Sequence, residues 1–287
     1  MLEEAIEGCR SLPDEQIMAP RYRCRISPDI VSMPTTTSSD ILAELASLGT
    51  EQTLRTWRRH GVEGDAFGVL TAALDKIRKR VGTDHELALD LWKGGNHDAR
   101  VLATMIADAA RLGASDLQGM ASELRNAVIT DAFAALASRS PHARDLSAEW
   151  RRSDDEWIAR AGGLMLARLA RETEALTDEM LEEDVTVIEC SIHASRNRVR
   201  DAMNAALIAI GVRNERLKVL ALTAAAKIGP VEVDHGDTSC KTPDAATYIA
   251  KTAAHNAARA EKAAAKATRP SASGAKPRVA KGQARGR

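Results

Sequence analysis

Three features of the sequence predict an all-α fold. Alanine, the residue of highest helix propensity, is the commonest apolar residue. Aromatic residues make up only 3% of the chain, against what strands favour. From Asp40 onward, apolar residues recur at three- and four-residue spacing between turn signals. The 287 residues allow one or two domains with an ample core. Composition excludes collagenous and wholly disordered chains, and no apolar run reaches the ~18 residues of a spanning helix.

Residues 1–39 read as an N-terminal extension of low order. Pro13, Pro20, Pro28 and Pro34 break any helix, and Thr35 to Ser39 is a polar linker. The alternating Arg21, Arg23 and Arg25 suit either a strand edge or an unpacked basic arm. Ser39 or Asp40 can cap a helix carrying Ile41, Leu42, Leu45 and Leu48, ended by Gly49. A short helix over Thr53 to Arg59 follows, then a glycine-rich stretch from Gly61 to Gly68. Amphipathic segments then run over about 71–81, 84–93, 97–108, 115–124, 126–138, 142–151, 155–170, 174–193, 196–210 and 214–227. No stretch shows convincing strand alternation. Thr242-Pro243-Asp244 makes a good helix start. The domains expected are thus an extension (1–39), a helical-repeat domain (40–241), a C-terminal helix (242–268) and a basic disordered tail (269–287).

A weak internal repeat underlies the middle of the chain. Leu87 to Trp92 followed by His97-Asp98-Ala99-Arg100 has the same plan as Leu146 to Trp150 followed by Glu156-Trp157-Ile158-Ala159-Arg160. Asn197-Arg198-Val199-Arg200 repeats it, and Asp131 lies in a helix midway between Arg100 and Arg160. The unit, roughly 30 to 40 residues, is the size of a helical pair. One such pair cannot bury its apolar face alone, so neighbours are expected to stack into an α-α superhelix with a concave face. An ordinary helical bundle is the alternative.

The 40 basic and 40 acidic residues balance, but they are segregated. From Arg259 to Arg287 nine Lys/Arg meet one acid, Glu261, for a net +8; residues 1–258 carry −8. Such a tail binds phosphate by counterion release, and equally suits a solubilising or RNA-contacting arm. Cys9, Cys24, Cys190 and Cys240 have no disulfide spacing. With an acidic start in place of a secretory signal, a cytoplasmic location is expected, with no membrane partner.

Several chemistries find little footing. Gly61, Gly64 and Gly68 form neither a dinucleotide nor a P-loop pattern, which leaves a structural turn. Asp234, His235 and Cys240 gather three donor types but fall short of a closed zinc site, and Cys190 with His193 offers only a shared helix face. No metal or cofactor is expected. No nucleophile elbow or cysteine–histidine signature occurs. Asp131 stands out because it interrupts the apolar helix Val128 to Leu136, where an acid must be paired or aimed into a groove. Trp157 and Arg160 are helical neighbours. On physics alone, Asp131 caps or pairs with an adjacent helix while Arg160 ties repeats together.

Four segments in order carry a resemblance. They are Arg59-His60-Gly61-Val62 with Phe67-Gly68-Val69; Asp84 to Trp92 with His97-Asp98-Ala99-Arg100; Glu156 to Ala161; and Arg200 to Asn204 with Leu207 to Gly211. From about Ser39 to Tyr248 the chain resembles the DNA alkylation repair family, a solenoid of HEAT-like helical pairs. That resemblance implies a DNA glycosylase releasing N3- and N7-alkylated purines, with duplex DNA held by its backbone in a concave groove of a monomer. It places the catalytic carboxylate at Asp131 and a phosphate-holding guanidinium at Arg160, with Arg100, Arg200 and Trp157 as further DNA contacts. A lesion is already a good leaving group, so charge stabilisation would supply most of the catalysis. Two aromatics of that family are replaced, by Ala127 and Ala205, forfeiting cation–π and stacking contacts of about 1–3 kcal/mol each. The alternative is a non-catalytic repeat module for nucleic acid or protein.

Overall fold

The computed structural model describes residues 36–172 and 174–267. The expectations for residues 1–35 and for the tail after 267 lie outside the described residues. Every regular element among the described residues is helical, and no strand occurs there. The thirteen α-helices are α1 (Ser38–Leu48), α2 (Glu51–Arg59), α3 (Thr71–Val81), α4 (His85–Lys93), α5 (His97–Ile106), α6 (Ala114–Ala121) and α7 (Ala127–Ala137). They continue with α8 (Ala143–Trp150), α9 (Glu156–Leu169), α10 (Asp178–Ser191), α11 (Asn197–Gly211), α12 (Glu215–Ile228) and α13 (Ala245–Ala267).

Helix starts follow capping chemistry. The first helix is capped by Thr37, not by Ser39 or Asp40: the Thr37 hydroxyl accepts from the Asp40 N–H, and the Asp40 carboxylate accepts from the Thr37 N–H. This reciprocal box needs its acid at the third helical position, which moves the start upstream of the expected cap. Asn96, Asn126 and Asp155 each accept from backbone N–H groups two or three residues on, opening α5, α7 and α9. In α10, Thr177 does the same, so the helix begins later than the segment expected from 174.

From α4 to α13 the helices pair, and the second members stack in one row: α5 on α7, α7 on α9, α9 on α11 and α11 on α13. The first members stand apart, apart from α10 against α12. A cleft of about 330 Å³, lined by Arg144, Leu166, Leu176 and Val187 among others, separates α8 from α10. Tight spacing in one row and splaying in the other curves the stack, with α5, α7, α9, α11 and α13 on the inside.

Two glycines set that spacing. A Cβ on Gly162 would stand 2.7 Å from the Arg151 backbone nitrogen, and one on Gly163 would stand 2.9 Å from the Ala202 Cβ. Consecutive glycines in α9 therefore let it approach α8 on one side and α11 on the other. Between the rows, Trp92, Phe133 and Trp150 form a chain of rings with centroids 6.1 and 5.7 Å apart. Each contributes on the order of 2–3 kcal/mol by burial. The buried indole N–H groups find acceptors, Glu123 for Trp92 at 3.1 Å and Gln118 for Trp150 at 2.6 Å.

The glycine-rich stretch is a turn, with positive φ at Gly61, Gly64 and Gly68. Asp98, fully buried in α5, accepts from the backbone N–H groups of Phe67, Gly68 and Val69 at 2.7, 3.1 and 2.8 Å. Two of the segments that carried the resemblance are thus joined to each other.

Candidate nucleic-acid interface

Because the inner helices are capped in register, equivalent positions line up across repeats. Asp131, Arg160 and Asp201 each lie five residues past the N-cap of their helix, on α7, α9 and α11. The Arg160 Nε–H and Nη2–H groups donate to Oδ1 of Asp131 at 3.1 and 2.8 Å. Its Nη1 donates to Oδ2 of Asp201 at 2.6 Å and to the Arg198 carbonyl at 3.2 Å. One guanidinium therefore links three successive inner helices.

The two ends of this row differ in access. The Arg160 side chain is 5% exposed, that of Asp131 52%. Burial works against the Arg160 charge, but Asp131 and Asp201 together outweigh it and raise its pKa. Asp131 shares one guanidinium with a second acid. Desolvation by the protein around it raises its pKa, the attraction of Arg160 falls short of cancelling that, and repulsion from Asp201 adds to it. Half exposure together with this desolvation fits a carboxylate set in a recess, with Oδ1 tied to Arg160.

The sequence-predicted residues do not converge as a set. Arg160 meets Asp131, but as a nearly sealed tie: four of its five N–H donors are occupied, leaving little to offer a phosphate. Arg100 is spent elsewhere, donating through Nε to the Trp92 carbonyl at 3.0 Å, lying 5.1 Å from the centre of the Trp92 ring and pairing with Glu123. Arg200 is half-buried, and its Nε has no hydrogen-bond partner. Trp157 is half-buried against the core. Ala127 lies one turn before Asp131 and Ala205 one turn after Asp201, both half-buried. Trp92, 4% exposed, is core and does not stand in for the missing aromatics.

Sequence reasoning missed Arg168, which lies near Asp131, and the two arginines that flank Arg168. Arg168 feels Asp131 together with Arg171 and Arg139; burial, then repulsion from Arg171, lowers its pKa, and Arg139 adds to the repulsion. All three side chains are exposed. None forms an ion pair with a described carboxylate, and Arg139 donates only to the Ala135 and Thr104 carbonyls, each at 3.3 Å. The available signal was register: Arg139 and Arg168 each lie thirteen residues after their caps, Asn126 and Asp155. Exposed guanidiniums at Arg139, Arg168 and Arg171 are suited to hold phosphates, and the Asp131 carboxylate near Arg168 is suited to face a cationic or sugar group.

The donor clusters singled out as metal candidates are otherwise engaged. His235 Nε2 lies 3.0 Å from the Thr242 hydroxyl and Nδ1 3.5 Å from Arg198, while Cys240 is exposed. His193 Nε2 lies 2.8 Å from the Ile228 carbonyl, and Cys190 is exposed. Among the described residues no group of three or more His, Cys, Asp or Glu is placed to hold a metal ion. No described helix is long and apolar enough to cross a membrane.

The model of one protein family, DNA alkylation repair enzyme, matches residues 41–259. Uncharacterized proteins of Listeria innocua (Lin0241) and Listeria monocytogenes (Lmo0209) are each 27% identical over 217 residues, covering 72% of this chain and 93% of the relative. A solved structure, from a new family of proteins related to the HEAT-like repeat DNA glycosylases with affinity for branched DNA structures, superposes with a TM-score of 0.71. It is 27% identical, and the match covers 77% of this chain and 95% of that one.

Proposed function

Given that this chain belongs to the DNA alkylation repair enzyme family, we propose that it binds the sugar-phosphate backbone of DNA on its inner face and favours branched DNA. The observation that carries this reading is the exposed cluster of Arg139 and Arg171 around Arg168, which reaches Asp131, with none of the three arginines paired to a described carboxylate. The solved relative's affinity for branched DNA structures supports it. Arg160 contributes by fixing the spacing of α7, α9 and α11, so that the arginines sit on a rigid wall. Backbone contacts of this kind position a nucleic acid without reading its sequence.

Synthetic four-way junctions and linear duplexes test the reading by titration across a salt series. Replacing Arg139, Arg168 and Arg171 by Gln is expected to weaken binding and reduce the salt slope by about 2–3, near 0.9 per lost phosphate contact. An unchanged slope would remove the inner face from the reading.

A second reading is favoured by one observation: the Asp131 carboxylate is half exposed near Arg168. In that reading it faces the sugar of an N3- or N7-alkylated purine nucleotide and stabilises positive charge as the N-glycosidic bond breaks. Ala127 and Ala205 weigh against it, since no aromatic stands there to grip the cationic base. Release of 7-methylguanine that is lost in Asp131→Asn, with duplex affinity kept, would establish it. No release at micromolar protein leaves binding as the function.

A further inference from the structure

The last helix carries a charged surface that the inner-face site does not use. On α13, Ala245 and Ile249 are buried against the body, and Ile249 reaches Gly211 of α11. Beyond that first stretch, residues 254–259, 261 and 262 are all exposed. Lys251, His255, Arg259 and Lys262 follow one another at spacings of four, four and three. At about 100° per residue these four fall within an arc of roughly 80°. The buried Ala245 and Ile249 lie about 80–120° round from the middle of that arc, and Glu261, the helix's one acid, lies about 120° off on the other side. The row is therefore exposed and uncompensated along its own face.

From Lys251 to Lys262 the row spans roughly 16 Å of helix axis, close to the rise of about five base pairs. In the sequence Lys266 and Arg269 follow, within the segment of net charge +8 that begins at Arg259. The family match ends at residue 259, so Lys251, His255 and Arg259 lie within it and Lys262 just beyond. Alanine fills the neighbouring positions, which keeps the helix slim and lets a wide polyanion approach the cations closely.

We propose that the Lys251–His255–Arg259–Lys262 face of α13, at the C-terminal end of the inner row, is a second docking surface, and that its occupant is the phosphate backbone of a nucleic acid. Charge complementarity carries the assignment: three fixed cations in line, with no acid on the same face, match evenly spaced phosphates better than a mixed-charge protein surface. Arg171 lines one cleft with Tyr248, Thr252 and Asn256 of α13, so the row extends the basic surface that a nucleic acid backbone can follow beyond the Arg168 cluster.

The test uses the full chain with Lys251, Arg259 and Lys262 replaced by Gln. Gln has nearly the helix propensity of Lys and Arg, so the circular dichroism spectrum should be unchanged. Binding to a synthetic four-way junction is expected to fall about tenfold or more near 0.15 M salt, with a salt slope lower by about 2–3. An unchanged affinity and slope would overturn the proposal. So would a variant that loses only its binding to phosphatidylserine vesicles while junction binding persists. The inner-face Gln variant, measured alongside, separates the two readings: each surface stands or falls by its own slope.

Discussion

Replacing Arg160 by Met separates a structural tie from a phosphate contact. The substitution keeps the apolar stem but removes the guanidinium from between Asp131 and Asp201. Breaking a buried ion pair by deleting one partner costs about 3–5 kcal/mol, because it strands the remaining charge. Here Asp131 is 52% exposed and can turn to water, so the loss belongs near the lower end, about 3 kcal/mol. For a domain of this size that corresponds to a fall in Tm of roughly 6–12 °C. Urea unfolding should show a lower midpoint with an unchanged m-value. In a double-mutant cycle with Asp131→Asn, the coupling should stay below about 1 kcal/mol, since solvent screens the exposed end. A variant as stable as the parent but deficient in binding duplex DNA would refute the reasoning, and Arg160 would be a phosphate ligand after all.

Two further predictions concern packing and pH. Gly162→Ala should destabilise by about 2 kcal/mol and resist rescue, because the added methyl meets the Arg151 backbone at 2.7 Å. By contrast Gly163→Ala should cost about 1 kcal/mol and recover with Ala202→Gly, because its clash is with one methyl group; urea titration of the single and double variants checks both. His97 is buried edge-on to Trp57, with no partner for Nε2. Burial holds its pKa below 6.5, with Asp98 opposing and Arg100 and Arg58 assisting. A depressed histidine pKa means the unfolded chain takes up the proton first. The stability it contributes is therefore complete above pH 6.5 and is lost as pH falls through the folded-state value. Thermal melts from pH 7.5 to 5 should decline less steeply in His97→Leu; parallel profiles would reject the assignment.

Much of the architecture was legible from spacing alone. Apolar periodicity with Asn, Asp, Gly and Ser-Pro punctuation marks α3 to α12, since those signals act within one helical turn. Errors came at helix starts, where the choice among Thr37, Ser39 and Asp40 depends on a reciprocal bond between two of them. Asp131 was conspicuous because an acid in an apolar helix needs a partner, and the pairing with Arg160 is the bland physical reading of those residues. Their direct contact across 29 positions of chain required the stack itself.

What the sequence determined by itself was local: which stretches are helical, where they stop, that charge is segregated, and that one carboxylate is out of place. Tertiary structure decided which cations are free. Arg100 and Arg160 looked like ligands for phosphate, yet glutamate and aspartate side chains from neighbouring repeats consume them. Arg139, Arg168 and Arg171 drew no notice among 40 basic residues, yet Arg168 has the other two near it and none of the three pairs with a described carboxylate. A side chain's charge is written in its own letter, but whether that charge is spent or available depends on residues about 20 to 40 positions away, brought alongside only when the helices stack.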